Sequence, residues 1–145
     1  MRKRYITIIA ILVACSLVYI LIPKNAFNIL SEGEKIESIT FGTYFKLGER
    51  YDYSEKISDL KKIKEFSQIL NSKRLRRTFD TNIFNQAEAL SFFVILVDEK
   101  GKKTSNYVAI NHQGKLSVIG GKSYITDPLL YNKLYEYFEQ LTPKE

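Results

Sequence analysis

The residue types that most often carry out chemistry in proteins are few in this sequence, and they are not grouped. One histidine, His112, lies in a predicted hairpin turn, and one cysteine, Cys15, lies in an apolar run. A hydroxyl or thiol nucleophile needs a base beside it, and a zinc site needs several nitrogen or sulfur ligands. No glycine-rich nucleotide-binding pattern occurs either. We therefore predict no catalytic residue, no metal site and no cofactor.

The acidic residues are the other candidates for catalysis. A carboxylate-based hydrolase in a groove between sheet and helices would use one or two of them as acid and base. Asp98 and Asp127 already have predicted structural roles, the first in a turn and the second as a helix cap. We keep this small cell-envelope hydrolase as an alternative hypothesis, with these candidates: Asp80, Glu88, Asp98, Glu99, Asp127, Glu136 and Glu139.

Basic residues are concentrated in one part of the chain. The last four of them come directly after a predicted helix, so we expect at least three to project from one end of the domain. Such a group is predicted to bind anionic lipid headgroups or an anionic envelope polymer. The alternative is an ordinary solvated helix face and loop. The helix contributes Lys61, Lys62 and Lys64, and the predicted binding residues are Lys73, Arg74, Arg76 and Arg77.

The location of the domain is predicted by the stretch from Tyr5 to Ile22. It carries no charge and follows three basic residues at positions 2–4. A helix of this length nearly spans the hydrocarbon core of a bilayer, which is about 30 Å thick. The basic residues before it predict a cytoplasmic N-terminus. We therefore predict that residues 1–23 are a membrane anchor, a single-pass transmembrane signal anchor in the cell membrane, with an extracytoplasmic C-terminal domain.

Two alternatives to this anchor stay open. The residues Leu12-Val13-Ala14-Cys15 are similar to the lipobox of bacterial lipoproteins, in which the cysteine is lipidated after the signal peptide is removed. Against a lipoprotein, residues 17–22 stay apolar instead of continuing into a polar tether. The other alternative is a soluble protein with an unusually apolar first helix. The anchor and the lipoprotein place the domain on the same side of the membrane.

Composition limits the possible partners. About 120 residues follow the predicted anchor, the usual size of one domain. The only cysteine lies in the anchor, so the domain has no disulfide. Without the three basic residues of positions 2–4, 19 Lys and Arg face 16 Asp and Glu, a net charge of +3. This excess is too small to predict nucleic-acid binding.

Hydrophobic periodicity predicts an α+β domain over residues 35–141, after a tether at 24–34. Apolar residues alternate from Lys35 to Leu47, with a bulge or bend at Gly42, and they recur at helical spacing after an N-cap at Ser58. The run Ser91–Val97 indicates a strand buried on both faces. We expect an antiparallel sheet with both helices on one face. The remaining predicted elements are a helix at 59–71, strands at 104–110, 115–119 and 122–125, and a helix opening at Asp127-Pro128.

Two short patterns give the sequence a resemblance to known proteins. Ile63 and Phe66 form an Ile-x-x-Phe stripe after Ser58-Asp59, and residues 124–131 read Tyr-Ile-Thr-Asp-Pro-x-x-Tyr. With this order of elements, residues 36–137 resemble small exported domains of unknown function from Gram-positive bacteria. Those occur as lipoproteins or membrane-anchored proteins. The resemblance implies export and attachment, and it implies no activity and no site residues.

Together these features predict a membrane-tethered extracytoplasmic domain that is not an enzyme. Its expected partners are the membrane, through the N-terminal helix, and an envelope protein or anionic polymer.

Overall fold

The computed structural model describes residues 2–31, 34–46, 49–52, 56–78, 89–118 and 121–141. These residues form four helices and nine strands. The helices are α1 (Arg2–Leu21), α2 (Ala26–Ser31), α3 (Leu60–Asn71) and α4 (Leu129–Leu141). The strands are β1 (Lys24–Asn25), β2 (Lys35–Lys46), β3 (Glu49–Asp52), β4 (Lys56–Ile57), β5 (Arg74–Thr78), β6 (Ala89–Val97), β7 (Lys103–Asn111), β8 (Lys115–Val118) and β9 (Lys122–Ile125).

The strands pair into an antiparallel sheet, which confirms the predicted α+β class. Among the described residues, eight strands follow the order β1-β5-β9-β8-β7-β6-β2-β3, and β4 pairs with β2 outside this order. The predicted irregularity at Gly42 is confirmed, because the register of β2 against β6 shifts between Phe41 and Tyr44. Residues 47 and 119, where the first and fourth predicted strands were to end, lie outside the described part of the chain.

Aromatic rings join the sheet to the two longer helices of the domain. Phe41 and Phe92 are directly paired on β2 and β6, so their side chains point to the same face. The ring of Phe66 from α3 lies 5.5 Å from that of Phe92, and the ring of Phe138 from α4 lies 4.8 Å from that of Phe41. Because all of these rings are buried, they form the centre of the hydrophobic core.

Both of these helices begin at an aspartate that accepts hydrogen bonds from the first turn. Asp59 caps α3 by accepting from the backbone N–H groups of Lys61 and Lys62. The predicted cap at Ser58 is therefore wrong by one residue, because the carboxylate reaches two amides. Asp127 accepts from the Leu129 N–H at 2.9 Å, as the sequence predicts.

The two predicted hairpin turns contain glycines in the left-handed region. Gly101 has φ of 78° and Gly114 has φ of 77°. Each donates its N–H to the carbonyl three residues earlier, that of Asp98 or Asn111. The turn at Gly114 is also packed against the chain before α4, since Thr126 donates its N–H to the Gly114 carbonyl at 2.9 Å.

Strand β6 is interior, but it is buried on one face only. Phe92 and Val94 are fully buried, whereas Phe93 between them is 39% exposed. The ring contacts from α3 and α4 reach the face of Phe92, and the Phe93 ring packs against Tyr107 of β7 on the other face. The prediction of burial on both faces is therefore wrong, because that second face keeps contact with solvent at Phe93.

The segment predicted as a tether, residues 24–34, contains β1 and α2 instead. Ala26 and Leu30 are fully buried in the core. Asn106 of β7 donates its side-chain amide to the Leu30 carbonyl at 2.8 Å, which satisfies a polar group that would otherwise be buried without a partner. The sequence did not indicate these elements because the segment has few apolar residues, and they cover too short a stretch to show a helical or strand period.

Within the described residues, no helix is both long enough and apolar enough to cross a membrane. The predicted transmembrane helix is corrected accordingly.

Candidate functional site

Three of the four predicted binding residues lie on a strand that the sequence did not indicate. Arg74, Arg76 and Arg77 belong to β5, whose Leu75 is fully buried in the core. β5 pairs with β1 through residues 74 and 75, and with β9 through residues 76–78. The strand forms because its apolar residue reaches the core between two partners, although four of its five side chains are polar.

The strand divides the arginines between two faces of the sheet. Successive side chains of a strand alternate, so Arg74 and Arg76 share one face and Arg77 lies on the other, with Leu75. All three arginines are exposed. Alternation therefore separates Arg77 from the other two arginines, and the expectation that at least three of the four basic residues project from one end of the domain stays a prediction. The face of Arg76 also presents Ile125, its partner on β9, which is 44% exposed.

Lys73 has a structural partner and stands apart from the arginines. Its ammonium contacts the Asp127 carboxylate at 2.5 Å, and its side chain is 20% exposed. The hydrogen bond from Lys73, followed by the one from the Leu129 N–H, lowers the pKa of Asp127 below its ordinary value. Lys73 therefore connects the end of α3 to the start of α4, while the arginines form no ion pair with any described residue.

The arginine strand lies next to the apolar helix. α1 contacts β5, and β1 begins only three residues after α1 ends. Large apolar side chains of α1 stay exposed on all sides, with 64% exposure at Ile6 and 60% at both Ile9 and Val18. Cys15 is exposed on the same helix. The structure thus places the arginines where the apolar helix joins the domain.

A pocket of about 370 Å³ opens near the same junction, between α2 and the β8–β9 hairpin. Ile29 and Val118 supply its apolar wall. Its other lining residues are polar or basic: Lys24, Asn25, Asn28, Lys122 and Tyr124. No sequence pattern indicated this pocket, because its walls come from segments about 90 residues apart in the chain, a separation that no local periodicity spans.

A second groove, of about 410 Å³, runs between α3 and α4. Glu136, one of the predicted acidic candidates, lines it together with Glu65 and Lys133. Tyr137 lies in its wall and donates its hydroxyl to the Lys62 carbonyl at 2.8 Å. Burial, together with the negative charges of Glu65 and Asp59, raises the pKa of Tyr137 to about 12, so its hydroxyl is a permanent donor between the helices.

The other predicted candidates are separated. Asp98 accepts from the backbone N–H groups of Lys100 and Lys102 in its turn, and His112 is half-buried in the next turn. Asp80 and Glu88 lie outside the described residues. In the described part of the chain, no three His, Cys, Asp or Glu side chains are grouped as metal ligands would be.

Comparison with known proteins found no match to this chain. The resemblance to exported Gram-positive domains therefore stays a prediction. No protein-family model, no curated protein and no solved structure matches the chain.

Proposed function

We propose that this protein is a non-enzymatic extracytoplasmic domain that is attached to a membrane surface by its N-terminal segment. In this proposal the β5 arginines bind an anionic component of the cell envelope, or a protein partner carrying acidic groups. The observation that carries the proposal is the contact between α1, whose apolar side chains are exposed, and the strand that bears the arginines.

The attachment is supported by the surface of α1. A helix that is apolar all round is stable when an apolar medium surrounds it, and large exposed apolar patches mark membrane or protein contacts. Residues 5–18 of α1 are exposed throughout. The extracytoplasmic side is supported by the basic residues before this run, as in an export signal. Lipidation of Cys15 is the alternative means of attachment.

The binding role is supported by the position of the arginines beside α1 and by their lack of an ion pair with any described residue. Each cation near an anionic membrane surface contributes about 1 kcal/mol. Attraction between exposed charges decays over about 8 Å at physiological ionic strength, so the position beside α1 decides which charges contribute. Three exposed arginines there give weak binding that salt reduces.

The test is flotation of the full chain with neutral and anionic phospholipid vesicles at low and high salt. The uncharged residues 5–18 of α1 contribute equally to both vesicle types, so the difference between the two types reports the charged residues, including those at positions 2–4. We expect this difference to fall with salt and to be reduced in the variant Arg74→Gln/Arg76→Gln/Arg77→Gln.

The matched control is Lys64→Gln/Lys100→Gln/Lys102→Gln. It removes the same charge from exposed positions on α3 and on the β6–β7 hairpin, away from β5. Equal losses in the two triple variants would show that net charge, and not the β5 site, governs binding.

The hydrolase stays a second proposal, because Glu65 and Glu136 line one groove. A pair of carboxylates acts as acid and base only when both reach the same bond. The test is cleavage of envelope polymer by the full chain. Activity that is lost in Glu136→Gln and retained in Glu139→Gln would favour the hydrolase over the binding function.

A further inference from the structure

The pocket between α2 and the β8–β9 hairpin contains a buried tyrosine whose hydroxyl has no hydrogen-bond partner among the described residues. Tyr124 is 8% exposed, and no described residue accepts or donates a hydrogen bond at its hydroxyl. The residue lines the pocket, and its hydroxyl is not among the buried polar atoms that lack a partner. The hydroxyl therefore reaches the pocket space and is available there as a donor.

Two further donors face the same space. Asn28 and Lys122 line the pocket, are exposed, and form no described hydrogen bond or ion pair. Arg77 is exposed and lies directly opposite Tyr124 in the β5–β9 pair, which places its Cβ about 5 Å from that of Tyr124 on the same face. The pocket thus offers an ammonium, an amide and a hydroxyl, with a guanidinium beside it.

No acidic residue is among the seven described lining residues of this pocket. A set of donors without a carboxylate suits a ligand with a negatively charged group whose oxygens accept hydrogen bonds. Ile29 and Val118 add an apolar wall, so the ligand has carbon atoms beside its charged group. The volume of about 370 Å³ is sufficient for a small organic molecule.

We propose that this pocket binds a phosphate group carried on a short carbon unit, of the glycerol phosphate type. Lys122 and Tyr124 hold the phosphate oxygens, Asn28 orients them, and the apolar wall contacts the carbon unit. Lys24, at the start of β1, brings the pocket close to the end of α1. A phospholipid headgroup and a soluble glycerol phosphate present the same chemistry.

The experiment is two-dimensional amide NMR of the full chain in non-ionic detergent micelles. Glycerol 3-phosphate is titrated against sodium chloride of equal ionic strength, and in a second arm phosphatidylglycerol is added to the micelles. We expect saturable shifts at the Asn28 side-chain amide and around Tyr124. Shifts in both arms indicate a site for any glycerol phosphate, and shifts in the second arm alone indicate a lipid headgroup site.

Two variants remove single donors. We expect Lys122→Gln to weaken binding about tenfold, as the loss of one charge-assisted hydrogen bond does. Tyr124→Phe keeps the buried ring and removes the hydroxyl, and we expect about fivefold weaker binding. Lys102→Gln is the charge control and should bind as the wild type does. Shifts that do not saturate in either arm, or equal affinity in all variants, would overturn the proposal.

This site is separable from the function proposed for β5. Arg74→Gln/Arg76→Gln changes only the opposite face of the strand, so we expect it to leave the glycerol phosphate titration unchanged. If this double variant abolished the response to glycerol phosphate, the proposal of a binding site in the pocket would be overturned. If only the difference in binding between neutral and anionic vesicles were absent, the proposal for the pocket would stand.

Discussion

At the scale of single residues, Tyr137 shows how one polar atom can join two elements. Its ring belongs to the core and its hydroxyl donates to the Lys62 carbonyl in the first turn of α3. Tyr135, two residues earlier, donates its hydroxyl to Glu139 on the exposed side of the same helix. The same residue type therefore has an interhelical role at one position and a local role at the other.

Replacing Tyr137 with phenylalanine should lower the free energy of unfolding by about 1 kcal/mol, the usual net value of an intramolecular hydrogen bond. Chemical denaturation at neutral pH measures the difference. Tyr135→Phe is the matched control and should change stability less, because solvent can hydrogen-bond to the exposed Glu139 carboxylate in place of the lost hydroxyl. An equal effect of both substitutions would contradict the interhelical role.

The same residue predicts a dependence of stability on high pH. The pKa of Tyr137 is raised from 10.0 to about 12 in the folded protein. Its contribution is complete below pH 10.0, because the hydroxyl is then protonated in both states. Above pH 10.0 the unfolded state loses the proton first, so the contribution is lost as the pH rises through about 12. Unfolding curves in this interval should fall more steeply for the wild type than for Tyr137→Phe.

At the scale of elements, the two hairpin turns have the same backbone but different surroundings. A Cβ atom added at Gly114 would lie 2.4 Å from the Thr126 carbonyl oxygen, whereas nothing lies within 4 Å of one added at Gly101. Both glycines are in the left-handed region, where an L-residue costs about 1–2 kcal/mol.

Gly101→Ala should therefore cost about that conformational term alone. Gly114→Ala should destabilise the protein clearly more, because the backbone before α4 must also move. Thermal unfolding of the two variants compares these costs directly. Equal melting temperatures would show that the contact between the turn and Thr126 does not constrain the fold.

Strand β6 gives a second test at this scale. Val94 is fully buried, so Val94→Asp places an unpaired carboxylate in the core at a cost of several kcal/mol, enough to unfold a domain of ordinary stability. Phe93→Asp introduces a carboxylate at the neighbouring residue, on the other face of β6, which is in contact with solvent, and should leave the protein folded. Circular dichroism separates the outcomes, and a folded Val94→Asp protein would contradict the assigned face.

At the scale of the whole molecule, the apolar helix and the core are separate hydrophobic surfaces. Residues 5–18 of α1 are exposed, and none of them belongs to the core cluster. Ile9→Asp/Val13→Asp should therefore reduce binding of the full chain to neutral vesicles without changing the melting temperature of the domain. A lowered melting temperature would show that α1 supports the fold.

The means of attachment is tested in cells by replacing Cys15. If the surface of α1 holds the protein, Cys15→Ser should stay in the membrane fraction. Its release into the soluble fraction would favour the lipoprotein alternative and leave the domain and its sites unchanged.

The sequence alone determined the elements that have a strong local period and defined ends. Alternation indicated β2, the apolar run indicated β6, and helical spacing indicated α3 and α4, with an aspartate cap predicted for α4 alone. The turns predicted at Asp98 and His112 are also present, and they contain Gly101 and Gly114. These signals are local, since each depends on residues within a few positions of one another, and local preference agrees here with the final packing.

Tertiary structure decided the role of the basic residues. The sequence 74–78 has no apolar period, and it becomes a strand only because Leu75 pairs with Lys24 and Arg77 pairs with Tyr124. Lys73 pairs with Asp127, which lies 54 positions further along the chain. The pocket at Tyr124 likewise combines α2 with β8 and β9. A sequence pattern reports neighbours along the chain, whereas these contacts join distant segments whose approach is set by burial of the whole core.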